Sequence, residues 1–173
     1  MSAEWYKEQP RNRNFLNPIG YLLKLEKFAG VDFFCQTANL PDITMPTTEV
    51  PTRFRNVPII PGGGVTFGDF TVRFIVDEDL ENYNSIHSWM RDNGNADEML
   101  RATPEEDIYT DAQLQIVTSQ YNPAFVVEFK NIFPVSLTSL QFDATITDVE
   151  YITAEVTFKH QQFFLLDKNN RRL

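Results

Sequence analysis

Hydrophobic and polar residues alternate with a period of two through most of the chain, and this pattern sets the expected elements. From Gly20 the run YLLKLEKF places Tyr21, Leu23 and Leu25 on one face and Lys24 and Glu26 on the other, the signature of a half-exposed strand. Ala29 and Gly30 make a turn, and the β-rich run Val31 to Ala38 follows, so the two runs are expected to pair as a hairpin. Between Asp42 and Phe70 stand Pro46, Pro51, Pro58 and Pro61, with Gly62, Gly63 and Gly64 after them. Proline donates no amide to a ladder, so this stretch reads as a long, partly irregular projection. Its limbs are expected at Thr47 to Ile60 and Val65 to Val76, closed by the glycines. Regular alternation then returns, with Phe70, Val72, Phe74 and Val76 facing opposite to Thr71, Arg73 and Ile75.

One segment carries a helical period. Leu80, Tyr83, Ile86 and Met90 recur at three- and four-residue spacing, with Asp77, Glu78 and Asp79 before them and Gly94 behind. Acidic residues favour the positive end of the helix dipole, so a helix is expected from about Leu80 to Asn93, with Trp89 flanking its apolar stripe. Residues 95–111 are polar and acidic and read as a surface loop. Strands are expected again at Ala112 to Thr118 and Phe125 to Lys130, the second ladder broken by Pro134. Leu137 to Phe142 and a long final strand from Val149 to Leu166 complete the set, the last with Ile152, Ala154, Val156 and Phe158 inward. Residues 1–17, with Pro10 flanking Arg11, Asn12, Arg13 and Asn14, have no period and read as an extended arm. The fold class expected is mainly β: an antiparallel barrel or sandwich with one flanking α-helix, formed by a single domain over residues 18–173.

Composition narrows the chemistry. Among 173 residues there are fifteen Phe, six Tyr and two Trp, a content that supports a packed core and argues against disorder. No window approaches the apolar length that crosses a bilayer, and the polar N-terminal stretch lacks the apolar run of a secretory signal, so no membrane partner and cytosol-like conditions are expected. The single Cys35 excludes an intrachain disulfide or a multi-thiolate metal site, and only His87 and His160 offer imidazole bases. The glycine triplet lacks the GK[ST] and following helix of a phosphate-binding loop. No catalytic residue, metal or cofactor emerges, and a structural or interaction role is favoured over an enzyme.

Charge is unevenly distributed. Fifteen Lys and Arg against twenty-four Asp and Glu give −9 overall. Residues 1–60 hold seven basic and six acidic groups, and residues 151–173 hold four and two, leaving four basic and sixteen acidic groups between them. An acidic middle lacks the basic stripe of a nucleic-acid reader. It suits a soluble acidic surface, or an acidic channel that lets DNA pass without gripping it.

The order of features resembles a known family. Leu40 and Pro41 ending the early strands, the Pro-rich projection with its glycines, the strand TVRFIVDEDLENY leading into the helix with Trp89, the NIFP motif and the final LQFDATITDVEYITAEVTFKH are together similar to tail-tube proteins of contractile-tailed phages of the T4 type. The similarity spans about Pro18 to Phe164. It implies hexameric rings whose inner sheets join into one barrel around a DNA-conducting lumen, stacked by loops and the long hairpin. It implies tail sheath and baseplate proteins as partners, genomic DNA passing without specific binding, and a place in the virion after assembly in the host cytoplasm. Baseplate proteins that initiate the tube, and the inner tubes of contractile injection systems, are the alternative readings. On this footing Arg11 and Arg13 of the arm, Arg53 and Arg55 of the projection, and Gly62, Gly63 and Gly64 are assigned to contacts between subunits and rings.

Overall fold

The computed structural model describes residues 16, 18–26, 35–60, 64–94, 108–118, 122–145 and 151–173. Eleven strands and one helix occur among them: β1 (Tyr21–Leu25), β2 (Cys35–Ala38), β3 (Ile43–Thr44), β4 (Thr48–Pro51), β5 (Asn56–Ile59), β6 (Thr66–Phe67), β7 (Phe70–Ile75), α1 (Glu81–Gly94), β8 (Thr110–Val117), β9 (Pro123–Leu137), β10 (Thr153–Lys159) and β11 (Gln162–Asp167). The mainly β class holds, with α1 the one full helix among the described residues. Two antiparallel sheets share β9. The first runs β1-β8-β9-β11 and the second β9-β10-β7-β2, so the arrangement is an open sandwich joined along one strand.

The joint explains how one strand serves two sheets. Asn131 takes a left-handed conformation at φ 55°, which asparagine tolerates better than most residues, and bends β9 there. Its amide donates to Asp111 Oδ1 at 3.1 Å and its side-chain Nδ2 to Gln161 Oε1 at 2.8 Å. The facing strand breaks at the same level, between Lys159 and Gln162, so β10 follows β9 into one sheet and β11 follows it into the other. The single final strand expected from Val149 to Leu166 is therefore two strands.

Pro134 does not end the ladder. It lies opposite Phe158, and the register slips by one at Val135, a bulge that accommodates a residue without an amide hydrogen. Consequently β9 runs on to Leu137, and the strand expected from Leu137 to Phe142 is not formed, since residues 138–142 lie outside any strand. The early hairpin is not formed either. β1 pairs with β8, setting Leu23 beside Leu114 and Leu25 beside Ala112, while β2 pairs with β7 in the other sheet. Long-range pairing buries Leu23 and Leu25, which an isolated two-stranded hairpin would leave wet. The turn expected at Ala29 and Gly30 lies outside the described residues.

The core fills the space between the sheets. Phe129 of the first sheet stacks on Phe70 of the second with centroids 4.3 Å apart, and Phe158 lies 6.1 Å from Phe70 on the same side. Val72, Phe74, Ala154 and Val156 continue this inner layer, and all are buried, as the alternation from Phe70 onward requires.

The helix closes the core but turns a different face inward. Asn82, Ile86 and Trp89 are its buried residues, while Leu80 is exposed and Tyr83 and Met90 are half-buried. Asp77 supplies the cap: its Oδ2 accepts the Asn82 amide at 3.3 Å, and Leu80 turns the chain at φ 58°. Asn82 in turn donates from Nδ2 to the Ile75 carbonyl at 2.8 Å and accepts the Asp77 amide at 3.4 Å, fastening helix to strand. Trp89 Nε1 and Asn93 Nδ2 both donate to the Ile108 carbonyl at 3.2 and 3.3 Å. Asn82 is only 2% exposed, so Asn82→Ala removes a buried side-chain partner of the Ile75 carbonyl. A loss of about 1–3 kcal/mol in urea unfolding is expected.

Candidate assembly surfaces

The Pro-rich segment projects as two nested ladders. β3 pairs with β6 at its root, Ile43 opposite Phe67, and β4 pairs with β5 further out, Thr48 opposite Ile59 and Pro51 opposite Asn56. The tip is therefore the four-residue loop Thr52 to Arg55. Thr52 closes it: the Thr52 amide donates to the Arg55 carbonyl at 3.0 Å, the Arg55 amide donates to Thr52 Oγ1 at 3.3 Å, and the Thr52 hydroxyl also bonds the Arg55 carbonyl. Threonine at a turn supplies the last two bonds from its own side chain. The glycines are not the closing turn. Gly64, at φ 83°, lies on the return limb between β5 and β6, and Gly62 and Gly63 lie outside the described residues.

This ribbon has little beneath it. Every residue of β3, β4 and β5 is exposed except Val57, which is half-buried. Ile43, Met45, Val50, Ile59, Ile60 and Val65 all present large apolar side chains to solvent. Phe54 at the tip is 91% exposed, with the Arg53 guanidinium 5.8 Å from its ring centroid. A two-stranded ribbon with exposed apolar side chains along its length is marginal alone in water and marks a contact surface. Arg53 and Arg55 thus flank a bare aromatic ring in the tip loop, with Arg53 beside that ring. Phe54 was missed in the sequence, although an aromatic between two arginines, inside a segment bounded by Pro51 and Pro58, is a readable sign of it. Arg11 and Arg13 lie outside the described residues.

At the ribbon's root an aromatic cluster ties it to the sheet corner. Phe67 of β6 meets His160 edge-on at 5.7 Å and Phe163 at 5.4 Å, and His160 stacks on Phe129 at 5.3 Å. Both ring nitrogens of His160 are buried with no hydrogen-bond partner among the described residues. Burial pushes the imidazole below the ordinary histidine range; Asp69 pulls it back up and Lys159 pushes it further down, these two being joined by a 2.7 Å ion pair. A depressed histidine pKa means that the unfolded chain binds the proton first. Its neutral-state stability is thus complete above the unfolded value, about 6.5, and lost as pH falls towards the folded value. Denaturation midpoints should drop between about pH 7 and pH 5.5 in the parent and less in His160→Phe.

The two outward sheet faces differ. On the first sheet, Lys130 bridges Asp111 at 2.6 Å and Glu128 at 3.1 Å, a half-buried cluster. Past β11 the chain turns at residues 168–170, with Asn170 at φ 56°, and folds back as a hook. The Leu173 amide donates to the Leu165 carbonyl at 3.0 Å and the Asp167 amide to the Arg171 carbonyl at 2.8 Å, while Arg172 sits 3.8 Å over the Phe164 ring. On the second sheet, Arg73 stands directly opposite Glu155 and Thr71 opposite Thr157. Of the described acids of the middle segment, Asp77, Glu78, Asp79 and Glu81 gather around the helix start, while Asp69, Asp111 and Glu128 are paired to lysines of the sheets.

Nothing in this geometry assembles a reaction centre. Among the described residues no group of three His, Cys, Asp or Glu side chains is placed to hold a metal, and His87 is exposed on the helix, stacked on Tyr83. Cys35 lies 3.9 Å from the Tyr21 hydroxyl, where burial and then Cys35 raise the phenol to about 12. No described helix is long and apolar enough to cross a membrane.

Comparison with known proteins agrees with this architecture. Residues 8–166 match the family described as phage tail tube protein. No curated protein sequence matches the chain significantly. Solved structures share its fold across nearly their whole length. A chain from the anti-feeding prophage tube-terminating cap superposes with a TM-score of 0.66 at 15% identity, covering 96% of this chain and 99% of that one. A chain of an extracellular contractile injection system, from its sheath–tube complex in the extended state, gives 0.63 at 16% identity, with 90% and 93% covered. A chain of the anti-feeding prophage baseplate gives 0.64 at 11% identity, with 90% and 97% covered.

Proposed function

The chain belongs to the phage tail tube protein family, and on that premise we propose that it forms hexameric rings that stack into the DNA-conducting inner tube of a contractile phage tail. The family is one of structural tube proteins, not enzymes. The observation that carries the ring-and-stack reading is the projecting ribbon, a long apolar arm with Arg53, Phe54 and Arg55 bare at its end. Such an arm gains its stability by lying on a neighbour. Open sheet edges argue the same way, since a closed ring of identical copies removes them.

In this account the ribbon of one ring lies on the next ring, with Phe54 buried and Arg53 and Arg55 paired to polar groups at the junction. Arg11, Arg13, Gly62, Gly63 and Gly64 contribute to the same contacts between rings. Sheath and baseplate proteins bind the finished tube, and DNA passes through it without specific recognition. The tube itself is passive. A second reading, the inner tube of a contractile injection system, is favoured by the structural likeness to a chain of the sheath–tube complex of an extracellular contractile injection system.

Copies per particle test the assignment. A tube subunit recurs in many rings, so quantitative mass spectrometry of purified particles should find it in large excess over single-ring baseplate proteins. A count equal to one ring would make it the tube initiator instead. Capsid and terminase genes beside its own would select the phage over the injection system.

A further inference from the structure

Strand β11 sets Phe163, Phe164, Leu165 and Leu166 in succession between Gln162 and Asp167, with no proline or glycine and one charge. A segment of that composition pairs with copies of itself wherever its backbone edge lies open. Among the described residues β9 is the one named strand beside β11, and the other side of β11 meets the hook. We infer that the hook at residues 168–173 guards this edge, latched by the left-handed turn at Asn170, and keeps copies of the chain from joining β11 to β11. The guard does not depend on the tube reading above.

The hook imitates a short antiparallel strand. Leu166 and Arg172 form a β-bridge, and the bonds from the Asp167 amide to the Arg171 carbonyl at 2.8 Å and from the Leu173 amide to the Leu165 carbonyl at 3.0 Å flank it. Edge groups that an incoming strand would use are thereby taken. Asn170 reverses the chain at φ 56°, a conformation that asparagine visits more readily than most residues, and its amide donates to the Asp167 carbonyl at 2.8 Å.

Side chains complete the cover. Arg172 lies 3.8 Å over the Phe164 ring. Leu22, Gln115, Val126 and Leu166 form one registered row across the outward face, and Leu166 beside the hook is 8% exposed where Leu22 at the far end is 58% exposed. Lys168, Arg171 and Arg172 are themselves exposed, so two copies approaching edge to edge bring like charges together.

Substitution at the latch tests the guard. Proline holds φ at about −65°, so Asn170→Pro cannot make the turn, whereas Asn170→Gly makes it freely. In sedimentation velocity and thioflavin T fluorescence at matched concentration, Asn170→Pro should shift the protein to larger, dye-binding species that the parent lacks. Asn170→Gly should keep the parent's profile. Leu173→Pro, which deletes the amide bonded to Leu165, should shift the protein the same way by less. Adding Phe164→Lys to Asn170→Pro sets a cation opposite Glu128 beside the edge and should reverse the shift, which general misfolding would not allow. Parent-like profiles for both proline variants, association of Asn170→Gly equal to that of Asn170→Pro, or a shift that Phe164→Lys leaves unchanged would each overturn the guard. Because every variant is read against the parent at the same concentration, rings or tubes built by the parent alter none of these outcomes.

Discussion

Replacing residues 48–59 by a short glycine–serine link should leave a folded protomer that closes rings and builds no tubes. The excised part contains the whole β4–β5 ladder and the Thr52 to Arg55 tip, and none of its side chains belongs to the core. The root ladder β3–β6 and the Phe67 contacts to His160 and Phe163 remain, so the sandwich keeps its corner. What is lost is the apolar arm. Burying one Phe side chain is worth roughly 1.5–3 kcal/mol, and a ring repeats that contact at every subunit, so even Phe54→Asp should shift the product from tubes towards single rings. Electron micrographs and sedimentation provide the readout. Tubes of ordinary length from the deletion would remove the ribbon from the stacking contact.

Phe129→Ala should bring the fold itself close to collapse. Phe129 stacks on Phe70, lies under His160 and touches Phe163, so it holds the two sheets and the corner at once. It is wholly buried. Removing a ring from such a site costs about 3–5 kcal/mol, and domains of this size have only about 5–15 kcal/mol in total. Denaturant midpoints of the isolated protomer should fall accordingly, with tube formation lost at the same time. Phe129→Leu, which keeps most of the apolar volume, should recover much of the loss. Equal stability of Phe129→Ala and parent would place the core elsewhere.

Alternation made the inner rows legible. Phe70, Val72 and Phe74, and Ala154, Val156 and Phe158, are buried as the period of two requires. Pairing was not legible, because alternation fixes which face of a strand is apolar and says nothing about its neighbour. Tyr21 to Leu25 and the run ending at Ala38 are close in sequence, yet each gains more by burying its apolar face against a distant strand. The bend at Asn131 and the bulge beside Pro134 escaped for a related reason. Each depends on a partner strand, here residues 157–162, that breaks or slips at the same level. In the helix, a polar residue took a core position because Asn82 finds the Ile75 carbonyl there, which a purely apolar stripe cannot anticipate. The projection was expected where it stands, but its tip was set by Thr52 and not by the glycines.

Copies of this chain are expected to build a ringed tube. Negative-stain images and sedimentation of the purified full chain, across a concentration series and with tail partners added, test it most directly. Six-fold rings that stack into hollow tubes are the expected result. A strictly monomeric species at high concentration, unchanged by the partners, would contradict it.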